Sequence, residues 1–168
     1  DAGVKPRAPR NVEPFLCRNF LIENLTIRNP GDWNVHPFAC DGVTIRNTTI
    51  YSPRTRGNTD GLDPDFCINV LVEDSTITSG DDAIAVKAGS GFPGGNADYA
   101  HAFERRIGHG SENMVFRRIK ILHRWPTIGS NCAGHIRNIS FIDMTVGDGE
   151  DHLSGLFIKT WSGNGGTI

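Results

Sequence analysis

At 168 residues, with 38% apolar residues, 20 Gly and 9 Pro, the chain has the size of one turn-rich globular domain and is too apolar for disorder. Its net charge of −2 argues against general nucleic-acid binding. No run of about 18 apolar residues marks a membrane span, and the first residues, Asp1-Ala2-Gly3-Val4-Lys5, do not read as a signal peptide.

Five strands are predicted, each carrying the pattern apolar-x-apolar-x-x-x-(Thr/Lys)-apolar, at residues 20–27, 43–50, 70–77, 114–121 and 139–146. Successive copies begin 23, 27, 44 and 25 residues apart. A short strand on such a period cannot bury its inner face alone, so the copies must stack as coils of a solenoid. One residue before each copy stand Asn19, Gly42, Asn69, Asn113 and Asn138, and three residues before the first three stand Cys17, Cys40 and Cys67. Identical residues at one offset form ladders when parallel strands lie in register, and stacked Asn amides satisfy one another. Neither a Leu-x-x-Leu-x-Leu frame nor a helical apolar period is present, while Val, Ile, Phe and Thr dominate the repeats.

The expected fold is therefore all-β, a parallel β-helix solenoid of about five coils. Residues 1–168 form a single domain expected to be truncated at both ends, since no polar cap precedes the stop at Gly165-Gly166-Thr167-Ile168. The long spacing is an inserted loop at residues 89–112. Its Gly89-Ser90-Gly91-Phe92-Pro93-Gly94 string opens no helix and reads as plain loop. The ladder cysteines and Cys132 are expected to be free thiols, because in-register neighbours offer poor disulfide torsions. No Cys or His spacing suggests a metal, and no cofactor is implied.

Carboxylates gather where the second and third coils leave their first strand, in Gly57-Asn58-Thr59-Asp60-Gly61-Leu62-Asp63-Pro64 and Ser79-Gly80-Asp81-Asp82-Ala83-Ile84-Ala85-Val86-Lys87. Superposing the strands that follow sets Asp60 over Asp82 with Asp81 beside them, about one rung of 4.8 Å apart. Repulsion among three such carboxylates raises one pKa, giving a proton donor beside ionised partners, as glycoside hydrolysis requires. Asp63 and Asp65 read as solvated turn residues.

Asn58-Thr59-Asp60-Gly61 and Gly80-Asp81-Asp82-x-Ile84-Ala85-x-Lys87, with Trp33-Asn34-Val35-His36-Pro37 one coil earlier, resemble the motifs of the polygalacturonase family, glycoside hydrolase family 28. The resemblance implies a right-handed parallel β-helix that hydrolyses α-1,4-linked galacturonan with inversion, endo or exo. Asp81 would be the general acid, Asp60 and Asp82 the residues that activate water, and Asn58, Lys87, His123, Arg124 and Lys159 the substrate contacts. It further implies a secreted, extracellular or periplasmic monomer acting on cell-wall pectin. The alternatives are a hydrolase of another pectic glycan such as rhamnogalacturonan, a weakened glycan-binding β-helix, or a structural β-helix.

Two further motifs of that family, Gly-His-Gly and Arg-Ile-Lys, have apparent copies in Gly108-His109-Gly110 and Arg118-Ile119-Lys120. The repeat rejects both, since Arg118 to Lys120 hold the scaffold offsets of Asn24, Leu25 and Thr26. In register, the family's His position falls on Arg124 and its Arg position on Phe157, with Lys159 retained. Arg124 is expected to hold Asp82 ionised, and Phe157 to remove a uronate clamp. His123 reads as solvent-facing, with entry into the cleft as the alternative. Arg105 and Arg106 of the insertion are further candidate uronate contacts.

Overall fold

The computed structural model describes residues 8–89, 110–147, 155–160 and 166–168. Its strands are β1 (Arg18–Glu23), β2 (Thr26–Arg28), β3 (Asp41–Arg46), β4 (Thr49–Tyr51), β5 (Ile68–Thr78), β6 (Ile84–Ala88), β7 (Gly110–His123), β8 (Pro126–Cys132), β9 (His135–Ile142), β10 (Thr145–Val146) and β11 (Phe157–Ile158). All pairings between them are parallel, and no helix occurs among the described residues. One large sheet joins β1–β5, β7, β9 and β10, and a second joins β6, β8 and β11. Bridges from Val12 to Val35, Leu62 and Ile84 carry the line of the second sheet into the earlier coils. The chain is a parallel β-helix.

The register matches the expected one. Phe20 lies against Val43, Val43 against Val70, Val70 against Met114 and Met114 against Ile139. Alternate residues of these strands point inward, which stacks Ile45, Val72 and Phe116 into one buried column and Ile50, Ile77 and Ile121 into another. Phe116 and Phe141 stack with ring centroids 5.0 Å apart. The insertion ends earlier than expected: Glu112 already pairs with Ile68, and β7 starts at Gly110. Its interior, including the Gly-rich string, His109, Arg105 and Arg106, lies outside the described residues.

The Asn ladder is present on the outer edge. The Asn138 amide donates to Asn113 at 3.1 Å, Asn113 to Asn69 at 3.5 Å, and Asn69 to the Asp41 carboxylate at 2.8 Å. Backbone shape explains it further. Asn19, Asn69, Asn113 and Asn138 all have φ between 51° and 58°, and Gly42, the one exception in the column, has φ 78°. Only Gly and, less readily, Asn adopt this left-handed bend at low cost. A second left-handed column follows five residues later at Asn24, Asn47, Asp74, Arg118 and Asp143. Arg118 therefore sits in a scaffold bend, bonded to Asp74 at 2.7 Å and to Glu73 at 2.8 Å, while Lys120 pairs in register with Thr76 and Thr145. Neither enters the carboxylate cluster.

All four cysteines are free thiols. Cys40 and Cys67 are buried, and their Sγ atoms donate to the backbone carbonyls of Pro14 and Pro37 at 3.3 and 3.2 Å.

Replacing Asn113 by Ala removes two ladder bonds and forces a Cβ-bearing residue without a local hydrogen bond into the left-handed region. The expected loss in chemical denaturation is about 1–2 kcal/mol. Asn113→Gly should lose less, because it keeps the bend.

A candidate active site at the coil exits

Leu62 pairs with Ile84 and Ile84 with Pro126. Counting back two residues sets Asp60, Asp82 and Arg124 on successive rungs of one column, with Asp81 beside it. Two glycines make this spacing possible. A Cβ on Gly61 would collide with the Ala83 carbonyl and Ile77, and one on Gly80 with the carbonyls of Arg56 and Pro53. Each Asp motif carries its glycine where the neighbouring coil passes too close for a side chain.

The three carboxyls differ in what holds them. Asp82 is buried; its Oδ2 takes a bond from Lys159 Nζ at 2.7 Å and its Oδ1 one from the buried Thr127 hydroxyl at 3.0 Å. Asp81 is half-buried, and its oxygens accept the backbone amides of Asp82 and Asn58, each at 3.0 Å. A carboxyl oxygen has a second lone pair, so these bonds orient Asp81 without filling it. The exposed side chain of Asn58, whose own φ is 54°, stays beside the cluster.

Asp60 is only 5% exposed. Its neighbours are Lys87 Nζ at 3.6 Å and the Asp63 carboxyl. Asp63 is fully buried and forms a very close ion pair with Lys87. The Lys87 ammonium lies 3.4 Å from the centre of the Trp33 ring, which closes the trio off from solvent. Burial, followed by the charge of Asp63, pushes the Asp60 carboxyl up to about 9, against the pull of Lys87. Burial also lifts Asp63, to about 6, while Lys87 holds it down. Burial acts to lower the Lys87 pKa, but Asp63 and Asp60 more than offset it and the value is raised. At neutral pH the trio thus comprises a cationic Lys87, an ionised Asp63 and a neutral Asp60, with no net buried charge.

Several expectations are corrected here. Asp63 is no solvated turn residue but the buried counter-ion of Lys87, and Asp65 is equally buried, accepting the Gly89 amide at 2.7 Å. Lys87, expected to contact substrate, has its ammonium buried on Asp63 and Asp60. The group holding Asp82 is Lys159, not Arg124. His123 is half-buried, and its Nδ1–H donates to the Ser79 carbonyl at 2.6 Å. The Phe157 ring is 40% exposed and meets Trp125 edge-on, with centroids 6.1 Å apart. Thr127 and Trp33 gain roles that residue type alone did not suggest. The apolar run Ala83-Ile84-Ala85-Val86 directly before Lys87 is the sequence signal from which its burial could have been read. Strand register offers Asp65 opposite Lys87, yet the side chain reaches back to Asp63.

The profile of glycosyl hydrolases family 28 matches residues 3–168. The chain belongs to this family. A probable polygalacturonase of Vitis vinifera is 33% identical over 98% of this chain and 32% of its own length. An exopolygalacturonase from Thermotoga maritima superposes with a TM-score of 0.77 at 32% identity, over 95% of this chain and 33% of that one. A polygalacturonase from Erwinia carotovora ssp. carotovora superposes with a TM-score of 0.71 at 26% identity, over 90% of this chain and 35% of that one. The family 28 chain described here spans about a third of the length of these relatives.

The buried trio gives this family 28 domain a pH signature. Between the unfolded Asp value of about 3.9 and the folded Asp60 value of about 9, the native state binds more protons than the unfolded chain. The stability that Asp60 contributes is therefore complete below about pH 4 and is lost as pH rises towards about 9. Thermal melting followed across that range should show the decline, and Asp60→Asn should flatten it. Lys87→Met leaves the Asp63 carboxylate buried without its partner, and should cost about 3–5 kcal/mol in chemical denaturation.

Proposed function

We propose that this chain carries the catalytic centre of a glycosidase that hydrolyses α-1,4-linked polygalacturonan with inversion, outside the cell. The observation that carries the reading is the set of three carboxyls on two adjacent rungs, each in a different electrostatic setting. Asp81, half-buried and oriented by two amides, is the general acid that gives its proton to the leaving glycosidic oxygen. Asp82, fixed by Lys159 and Thr127, takes the proton of the attacking water. Asp60 is neutral in the resting site and acts as the hydrogen-bonding partner that orients that water. The proton gained by Asp82 returns to Asp81 through solvent after each turnover, so the cycle balances. Lys87, Asp63 and Trp33 act through Asp60 and make no contact with the sugar, whereas Asn58, His123, Arg124 and Lys159 lie where substrate groups pass. Family membership and the names of the relatives support polygalacturonan as the substrate.

Asp81→Asn should lower turnover on polygalacturonate by several orders of magnitude while leaving oligogalacturonate affinity nearly unchanged, because the lost group acts in the transition state. Product analysis should show new reducing ends without sugar unsaturation. Unsaturated products, or a variant as active as the parent, would overturn this assignment.

A further inference from the structure

Three tripeptides of the form Asn-x-Ser/Thr, the acceptor signal for N-linked carbohydrate, occur in the chain: Asn24-Leu25-Thr26, Asn47-Thr48-Thr49 and Asn138-Ile139-Ser140. The fold does not treat them alike. Asn24 and Asn47 occupy neighbouring rungs of the second left-handed column, with φ of 58° and 48°, in the bends that join β1 to β2 and β3 to β4. Both residues are exposed, and so are Thr26 and Thr49, whose hydroxyls complete the signal. Among the described residues, neither side-chain amide has a hydrogen-bond partner. Asn138 is exposed too, but it lies inside β9 and its amide donates to Asn113 as part of the Asn ladder. Carbohydrate on Asn24 or Asn47 thus displaces no bond of the scaffold, whereas Asn138 Nδ2 is already held 3.1 Å from the Asn113 oxygen. Residues 75–78 of β5 separate this bend column from the coil exit, a path of about 13 Å.

We propose that Asn24 and Asn47 are N-glycosylation sites and that Asn138, with the same signal, is not. The inference rests on the extracellular part of the reading above, since the modification is made on the secretory route. In the transfer, Asn Nδ2 attacks the anomeric carbon of a lipid-diphosphate-linked oligosaccharide. A C–N bond forms as the C–O bond to the diphosphate breaks; the diphosphate leaves with the electron pair, and one amide proton passes to a base on the transferase. The sugar is then borne by bends that interrupt the large sheet, while the carboxyl column leads into the second one. The cleft stays open.

The test is expression of the full chain behind an added secretion leader in a eukaryotic host, followed by enzymatic release of N-glycans in heavy-oxygen water and peptide mass mapping. Cells and medium are mapped together. Release turns each modified Asn into a heavy Asp, so every position is read separately. Conversion is expected at Asn24 and Asn47, with Asn138 unconverted. Thr26→Val and Thr49→Val keep the strand-forming shape and should each abolish conversion at the one Asn two residues before. Absence of conversion at Asn24 or at Asn47, or equal conversion at Asn138, would overturn the proposal. So would a glycosylated chain that melts well below the variant carrying both valines, because the bends are then not free to bear sugar. Polygalacturonate cleavage by the unglycosylated chain made in bacteria is measured alongside: its failure removes the reaction reading and leaves the site map standing.

Discussion

In-register stacking governs this molecule. Each coil must follow the backbone path of the one beneath it, because every ladder hydrogen bond joins equivalent residues about 4.8 Å apart. A bend in one coil is therefore inherited by all of them, which is why left-handed residues recur as columns at Asn19, Gly42, Asn69, Asn113 and Asn138 and again at Asn24, Asn47, Asp74, Arg118 and Asp143. The same rule brings side chains distant in sequence within one rung of each other. Asp60 and Asp82 meet because Leu62 pairs with Ile84, and no local feature of either segment would bring them together.

Placing acids on adjacent rungs creates an electrostatic problem that the fold resolves in two ways. Asp82, as buried as Asp60, is balanced by Lys159 just past β11, 77 residues away in sequence. Beside it, Lys87 meets both Asp60 and Asp63 under the Trp33 ring, and one cation cannot balance two anions where water is excluded. A proton retained on Asp60 completes the balance. The result is a set of carboxyls held by different partners, Asp82 by Lys159 and Thr127, Asp81 by two backbone amides and Asp60 beside Lys87 and Asp63. The leading cause of the raised Asp60 pKa is burial, followed by Asp63. Of the repulsion expected among the three motif carboxyls, that from Asp81 contributes, behind burial and Asp63.

The departures from the family motifs fall on the side of the cleft built by β8 and β11. There Arg124, which forms no ion pair among the described residues, lies with the buried indole N–H of Trp125 and the exposed ring of Phe157.

The sequence alone determined the solenoid, the register of its five repeats and the meeting of Asp60, Asp81 and Asp82, because these follow from a period that backbone pairing makes the same in every coil. It also showed that Arg118-Ile119-Lys120 belongs to the scaffold, since the offset within the repeat outweighs a tripeptide match. Tertiary structure decided how the charges pair. Lys87 could have met Asp65, Asp63 or substrate, and Arg124 could have met Asp82. The outcome turned on side-chain reach, on the Trp33 ring from the coil before and on Lys159 from a late strand. Register places Cα atoms, but a long side chain spans more than one rung, so the partner of a buried charge is settled only when every coil around it is in place.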